Sequence, residues 1–407
     1  MAAASGVTGS ADALPRLLYI GDVSVADTMA GEALLFRLLQ YYPPEKLALI
    51  CGVRPGMPRL AGAAYHHWGP LFPRLLHSRV AEEYVLWRAW RYYELPRAIE
   101  QIATMFKPDA ILSISHVSGW LAGWQLALQR RIPFHLIVHD DFVYQSRFPA
   151  WSAAWAERRF GDAYRDASGR FCISDTMVEI YRERFGVPGA VIYPTHNGKR
   201  DNREISPRVG RASAALTFAY GGSINSATDM DQLVAFARVV SARGHRLIAF
   251  SPQHAQLAAR AAAAGVAIET HAPVHSDELM VRLRADADCM VLPQSMVEAD
   301  RPWVATAFPS KWADYSTLGL PVVVWAPPAS SSARFVSEHP GCAELVTRVD
   351  PSAVDFAIAR LEASADYRRS LAETLLALSR DVFAPQAAFE RFRSVLMAAH
   401  ASAQAIA

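Results

Sequence analysis

The sequence predicts an α/β protein of two successive doubly wound domains. Three observations carry this. At 407 residues the chain is too long for one ordinary core and suggests two domains of roughly 200 residues each. Short apolar runs alternate with helical patterns through both halves, the signature of βαβ units and a parallel sheet. A charged stretch, NGKRDNREISPRVGR from Asn197 to Arg211, interrupts the alternation once.

In the first domain, residues 1–198, strands are expected at Arg16–Ile20, Lys46–Val53, Asp109–Ser115, Phe134–His139, Gly169–Ser174 and Ala190–Pro194. Helices are expected between them, at Ala30–Tyr41, Ala81–Phe106 and Ala153–Asp166. Residues 199–212 read as a linker. The second domain, residues 213–385, places strands at Leu216–Tyr220, Leu247–Phe250, Val266–Thr270, Cys289–Leu292, Pro321–Val324 and Ala343–Thr347. The Ala-rich stretch Ala258–Ala264 reads as helix. Residues 386–407 read as a final helix packing back across the domain junction.

Composition narrows the function. With 52% hydrophobic and 20% charged residues and a net charge of +2, the chain suits a globular protein and not an obligate nucleic-acid binder. Cys51, Cys172, Cys289 and Cys342 lack metal-ligand spacing and read as buried small hydrophobes in a reducing cytoplasm. Met1 to Ala13 has neither a basic start nor an apolar core and reads as a frayed terminus. No run reaches the ~18 apolar residues of a membrane span.

Doubly wound domains bind ligands at the carboxyl ends of their strands, here facing a shared cleft. Six such segments stand out. Gly21-Asp22-Val23-Ser24 is either a strand-to-helix turn or a backbone platform for an acceptor. The spacing from Gly21 to Gly31 is no dinucleotide fingerprint. His139-Asp140-Asp141 ends the run LIVHDDF, where a histidine can take a proton or bind a sugar hydroxyl. Ser174-Asp175-Thr176 reads as an N-cap.

Tyr220-Gly221-Gly222-Ser223 allows close approach of a ligand to the backbone, as a diphosphate requires, or merely turns the chain. Glu298, after Leu292 and Pro293, is either a ribose ligand or a solvated glutamate. The sixth segment is FPSKWADYSTLGLPVV, with Ser310, Lys311 and Asp314. Here Ser310 is the expected N-cap, Lys311 to Leu318 about two turns of helix, and Gly319 the left-handed C-terminal residue. A lysine at a helix start, already partially positive, points to a bound anion.

In order, these segments resemble the GT-B glycosyltransferases, two Rossmann-like domains acting on nucleotide sugars, with family 4 the nearest type. The likeness runs from about Leu17 to Val395 and is clearest in HAPVHSDELMVRLRADADCMVLPQS and FPSKWADYSTLGLPVV. The resemblance implies sugar transfer from a nucleotide-sugar donor to a saccharide or lipid-linked saccharide, in polysaccharide or glycolipid biosynthesis. It implies donor binding by Gly221, Gly222, Ser223, Glu298, Ser310, Lys311 and Asp314. Acceptor binding falls to Gly21, Asp22 and Ser24, and catalysis to His139, Asp140 and Asp141. No cofactor and no essential metal are expected.

The chain departs from the family pattern. Ser223 and Thr228 stand where the family has an arginine and a lysine on the diphosphate. Thr306 and Asp314 stand where the retaining branch has two glutamates separated by seven residues, with Glu298 a stand-in for the first. Lys311 with Asp314 is more similar to the exopolysaccharide glucuronosyltransferases of the fold. Inversion would make Asp140 or Asp141 the base; retention would make His139 a positioner of the donor sugar. A catalytically weak binding module and a nucleotide-sugar epimerase are the alternatives.

Finally, Tyr65 to Trp68 and Arg79–Lys107 concentrate aromatic and basic residues. They make either a packed amphipathic helix or a surface for anionic lipid headgroups at the inner face of the cytoplasmic membrane.

Overall fold

The computed structural model describes residues 13–28, 30–142, 148–198, 204–210 and 215–406. The chain divides into two compact units, Met1–Ile192 with Ala388–Ala407, and Tyr193–Ala387. Of the segment read as a linker, 199–203 and 211–212 lie outside the described residues. So does nearly all of the stretch read as a frayed terminus.

The first unit holds a seven-stranded parallel sheet: β1 (Leu17–Ile20), β2 (Leu47–Cys51), β3 (Ala64–His67), β4 (Ala110–Ile114), β5 (Phe134–Val138), β6 (Gly169–Cys172) and β7 (Ala190–Val191). Its order is β3-β2-β1-β4-β5-β6-β7. The second holds β8 (Thr217–Gly221), β9 (Arg246–Phe250), β10 (Glu269–His271), β11 (Cys289–Pro293), β12 (Val322–Trp325) and β13 (Glu344–Val346), ordered β10-β9-β8-β11-β12-β13. β1, β2, β4 and β5 are buried along their whole length, which is why they read as continuous apolar runs. In each sheet the order reverses once, between β1 and β4 and between β8 and β11. Those are the crevices where doubly wound sheets take ligands.

Every strand expected from the sequence is present, with ends shifted by a few residues. β3 was not expected. It is an edge strand with half-exposed tyrosine and histidine side chains, so it lacks the apolar signal of the inner strands. The single helix expected over Ala81–Phe106 is two, Ala81–Tyr93 and Arg97–Phe106. Pro96 forbids a continuous helix, and Leu95 before it turns the chain at φ 53°. Ser174 caps its helix as expected, accepting the Met177 N–H at 3.1 Å.

The final helix, Pro385–Ile406, contributes most of its length to the first unit. Phe389 packs on Tyr41 and Tyr42, and Phe392 on Phe171 at 5.3 Å between ring centres. In the second unit Glu204–Gly210 is packed down, with Arg208 paired to the buried Asp288 at 3.1 Å.

Candidate active site

In the second unit the crevice residues follow β8. Gly221 ends the strand and Gly222 turns the chain at φ 120°, a conformation side chains rarely adopt. A Cβ on Gly222 would stand 2.8 Å from Lys311 Cε, so the glycine also makes room for that lysine. Lys311 and Tyr315 sit four residues apart on one helix face, and both reach this turn. Lys311 Nζ donates to the Ser223 carbonyl at 2.9 Å and lies 5.2 Å from the Tyr220 ring centre. Tyr315 accepts from the Gly221 N–H at 2.9 Å and donates to its carbonyl at 3.1 Å. Tyr220 donates to the same Ser223 carbonyl at 2.7 Å.

The helix is shorter than expected, Lys311–Tyr315, continuing as a turn to Gly319 at φ 63°. Ser310 is not a side-chain cap: its backbone is already helical and its hydroxyl makes no cap bond. Pro309 opens the turn instead, its carbonyl accepting the Trp312 N–H at 3.1 Å. One and a half turns of helix contribute little dipole, so the anion attraction rests on the lysine charge itself. Trp312 locks the helix, fully buried with its indole N–H on Ser332 Oγ at 3.1 Å.

Asp229 is the carboxylate that sequence reasoning missed. It is buried in the first turn of the Ala227–Ala242 helix and accepts the Ser295 N–H at 3.0 Å, tying the segment after β11 to the helix that follows β8. Burial raises its pKa, and the charge of Lys311 works against that. Burial likewise pushes the Lys311 ammonium down to about 8, opposed by Asp229 and Asp314. Thr228, standing where the family has a lysine, donates to Asp300 at 2.7 Å.

Glu298 does not join this group. Its side chain is 81% exposed and pairs with Arg301 at 2.7 Å on its own turn of helix. Gly221, Gly222, Ser223, Lys311 and Asp314 converge; Ser310 stands beside them without a resolved side-chain role in the cap.

In the first unit the crevice lies after β1, β4 and β5. Asp22 is wired into the framework. One carboxylate oxygen takes the N–H groups of Ser118 (2.9 Å) and Gly119 (2.6 Å), at the start of the Gly119–Arg130 helix. The other pairs with the buried Arg88 and accepts from Tyr92 at 3.1 Å. Gly21 and Ser24 are buried, Ser24 packed beside Gly52. Asp22 thus helps to hold the crevice in shape. Only Gly could stand at 119, since a Cβ there would lie 2.8 Å from the Asp22 nitrogen.

His139 and Asp140 form a close, partly open pair after β5. His139 Nδ1 lies 3.1 Å from Asp140 Oδ2, and both side chains remain partly open. Burial lowers the His139 pKa, but the Asp140 charge and hydrogen bond outweigh it and the net direction is upward. Asp140 moves down: burial pushes it up, and His139, then His116, more than reverse that. Asp141 differs from its neighbour, with no exposure and an ion pair to Arg184 at 3.4 Å. It lies buried beyond the end of β5.

His116, also missed from sequence, follows β4 and feels Asp140. The next residue, Val117, adopts φ 55°, which a β-branched residue does only under constraint. Among the described residues no group of three or more His, Cys, Asp or Glu is arranged to hold a metal ion. No helix among them is long and apolar enough to cross a membrane.

Comparison with known proteins agrees with the two-sheet fold. Residues 49–200 match the profile of Glycosyltransferase Family 4. No curated protein sequence matches. Solved structures similar to the chain include Anabaena Alr3699/HepE in complex with UDP-glucose, at 13% identity and TM-score 0.64, covering 94% of this chain and 100% of that one. The sucrose-phosphate synthase of Thermosynechococcus elongatus is 15% identical at TM-score 0.67, covering 95% and 100%. A UDP-forming α,α-trehalose-phosphate synthase from Burkholderia vietnamiensis is 12% identical at TM-score 0.67, covering 95% and 99%. The two doubly wound units thus have the GT-B architecture of these glycosyltransferase neighbours, and residues 49–200 match the Glycosyltransferase Family 4 profile.

Proposed function

We propose that the protein transfers a glycosyl group from a nucleotide sugar, of the UDP-sugar class, to a saccharide or lipid-linked saccharide. The observation that carries this is Lys311, held over the glycine turn after β8 by its bond to Ser223. In the reaction the bond from the sugar's anomeric carbon to the diphosphate breaks, and the nucleoside diphosphate leaves with the bonding electrons. The acceptor oxygen forms the new bond and gives up its proton. Fixed positive charge at the departing phosphate lowers the barrier, and that is the role assigned to Lys311. It replaces the two cations that Ser223 and Thr228 do not supply.

The proton goes to Asp140 if the reaction inverts, with His139 holding that carboxylate ionised. In a retaining reaction His139 positions the donor sugar. No step is assigned to a divalent cation, so EDTA is expected to leave turnover unchanged. The fold likeness to HepE, described in complex with UDP-glucose, and to the UDP-forming trehalose-phosphate synthase supports the donor class.

Membrane contact belongs to the same proposal. Leu71, Phe72, Val80 and Trp90 are exposed near Arg74 and Arg79, a mixed apolar and basic patch suited to anionic headgroups. Sedimentation with vesicles of anionic lipid, against neutral ones, tests it.

Calorimetric titration with UDP, GDP, ADP and TDP tests the donor site. One nucleotide is expected to bind saturably and to weaken about tenfold or more, about 1.4 kcal/mol, in Lys311→Ala. If no nucleotide binds the folded protein, the phosphate role of Lys311 is wrong.

A further inference from the structure

The helix Ala81–Tyr93 and the segment after β3 enclose a cavity of about 350 Å³, lined among others by Trp68, Leu71, Trp87, Arg88, Arg91 and Tyr92. Neither His139 nor Asp140 lines it. The size is at the small end of the roughly 300–1,000 Å³ usual for ligand pockets, room for one or two sugar rings. Its aromatic walls are held in place: Tyr84 stacks on Trp87 at 5.6 Å between ring centres, and Trp68 donates its indole N–H to Tyr92.

The two arginines differ. Arg88 is buried and neutralised by Asp22. Arg91 is exposed, lies 5.1 Å from the Trp87 ring centre, and has no carboxylate in ion-pair range among the described residues. An uncompensated cation thus sits on the face of an indole at the cavity wall. The backbone beside it is constrained too, with Leu95 at φ 53° carrying the chain into Pro96, another lining residue. The cavity is also joined to the reacting end of the sheet. Tyr92 and Arg88 meet Asp22, and Asp22 holds the N–H groups of Ser118 and Gly119, immediately after His116 and Val117.

We propose that this cavity binds an anionic sugar, a uronate or a sugar phosphate, carried by the acceptor. The C–H face of a pyranose stacks on the aromatic wall and the anionic group pairs with Arg91. A purely apolar ligand would leave that cation without a partner, and a neutral sugar would not use it. The word acceptor rests on the transfer reading; the binding site itself does not.

The test titrates the full chain with methyl glucuronide, glucose 6-phosphate and methyl glucoside, followed by tryptophan fluorescence and calorimetry. At least one anionic sugar is expected to bind at least tenfold more tightly than the neutral glucoside. That preference is expected to vanish in Arg91→Gln, and binding to fall tenfold or more in Trp87→Ala. Arg74→Gln, off the cavity, is expected to leave both unchanged. Equal binding of neutral and anionic sugars, no saturable binding, or anionic binding that survives Arg91→Gln would overturn the proposal. So would Arg91-dependent binding to anionic vesicles alone. UDP titration of the same preparations separates the two readings: UDP binding without sugar binding removes this site, and sugar binding without UDP binding removes the donor site.

Discussion

The Lys311 ammonium and the Ser223 carbonyl, 88 residues apart in sequence, meet at 2.9 Å over a turn made by Gly222. The bond parks the cation at the end of β8 and fixes where an anion would be met. Because burial holds that ammonium at about 8, its charge is lost within an ordinary assay range. Only the protonated form attracts a phosphate. UDP affinity is therefore expected to be level below about pH 7.5 and to weaken as pH rises through 8. Calorimetry from pH 6.5 to 9.5 reads this, and Lys311→Arg should flatten the profile.

Gly222→Ala is expected to imitate the loss of Lys311. The new methyl would meet Lys311 Cε at 2.8 Å, and the φ of 120° would itself cost about 1–3 kcal/mol. A thermal melt should show that destabilisation, and UDP affinity should fall tenfold or more. Unchanged UDP affinity in a folded Gly222→Ala protein would show that the lysine position does not matter.

Asp22 and Arg88 form a buried pair whose partners come from three separate parts of the chain. Asp22→Ala strands the guanidinium and two helix N–H groups. A loss of about 3–5 kcal/mol is expected in urea unfolding, the usual result of breaking a buried ion pair from one side. Asp22→Ala combined with Arg88→Leu should recover a large part of it. A loss below 1 kcal/mol for the single change would contradict the framework role.

How much of this was legible in the sequence differs by residue. The strands showed because burial on both faces makes them continuous apolar runs, and Gly319 showed because its left-handed turn excludes other residues. A Cβ there would strike the Glu204 carbonyl. His139 and Lys311 were visible from their places after a strand and at a helix start. Arg88, His116 and Asp229 were not, since their roles arise from partners that folding alone brings near; Arg88 and Asp22 are 66 residues apart. Ser310 misled because a preceding proline turn did the work that its hydroxyl suggested. Asp140 and Asp141 look alike in sequence, and only the fold of the turn after β5 separates a partly open carboxylate from a buried one.

Asp140→Asn is expected to lower the His139 pKa, because the carboxylate that stabilises the imidazolium is gone. NMR titration of the His139 ring reads the shift directly. Transfer by this variant should drop about 100-fold or more if Asp140 accepts the proton, and UDP affinity should stay as it was. Asp141→Asn, by contrast, should act on stability, through its pair with Arg184.

The return of Ala388–Ala407 to the first unit has a consequence for how the protein is made. Phe389 and Phe392 fill gaps against residues translated some 350 and 220 positions earlier. On the ribosome the amino-terminal sheet must wait, incomplete, while the whole second unit is synthesised. Domains ordinarily fold as they emerge; here the unit that emerges first is the last to be finished.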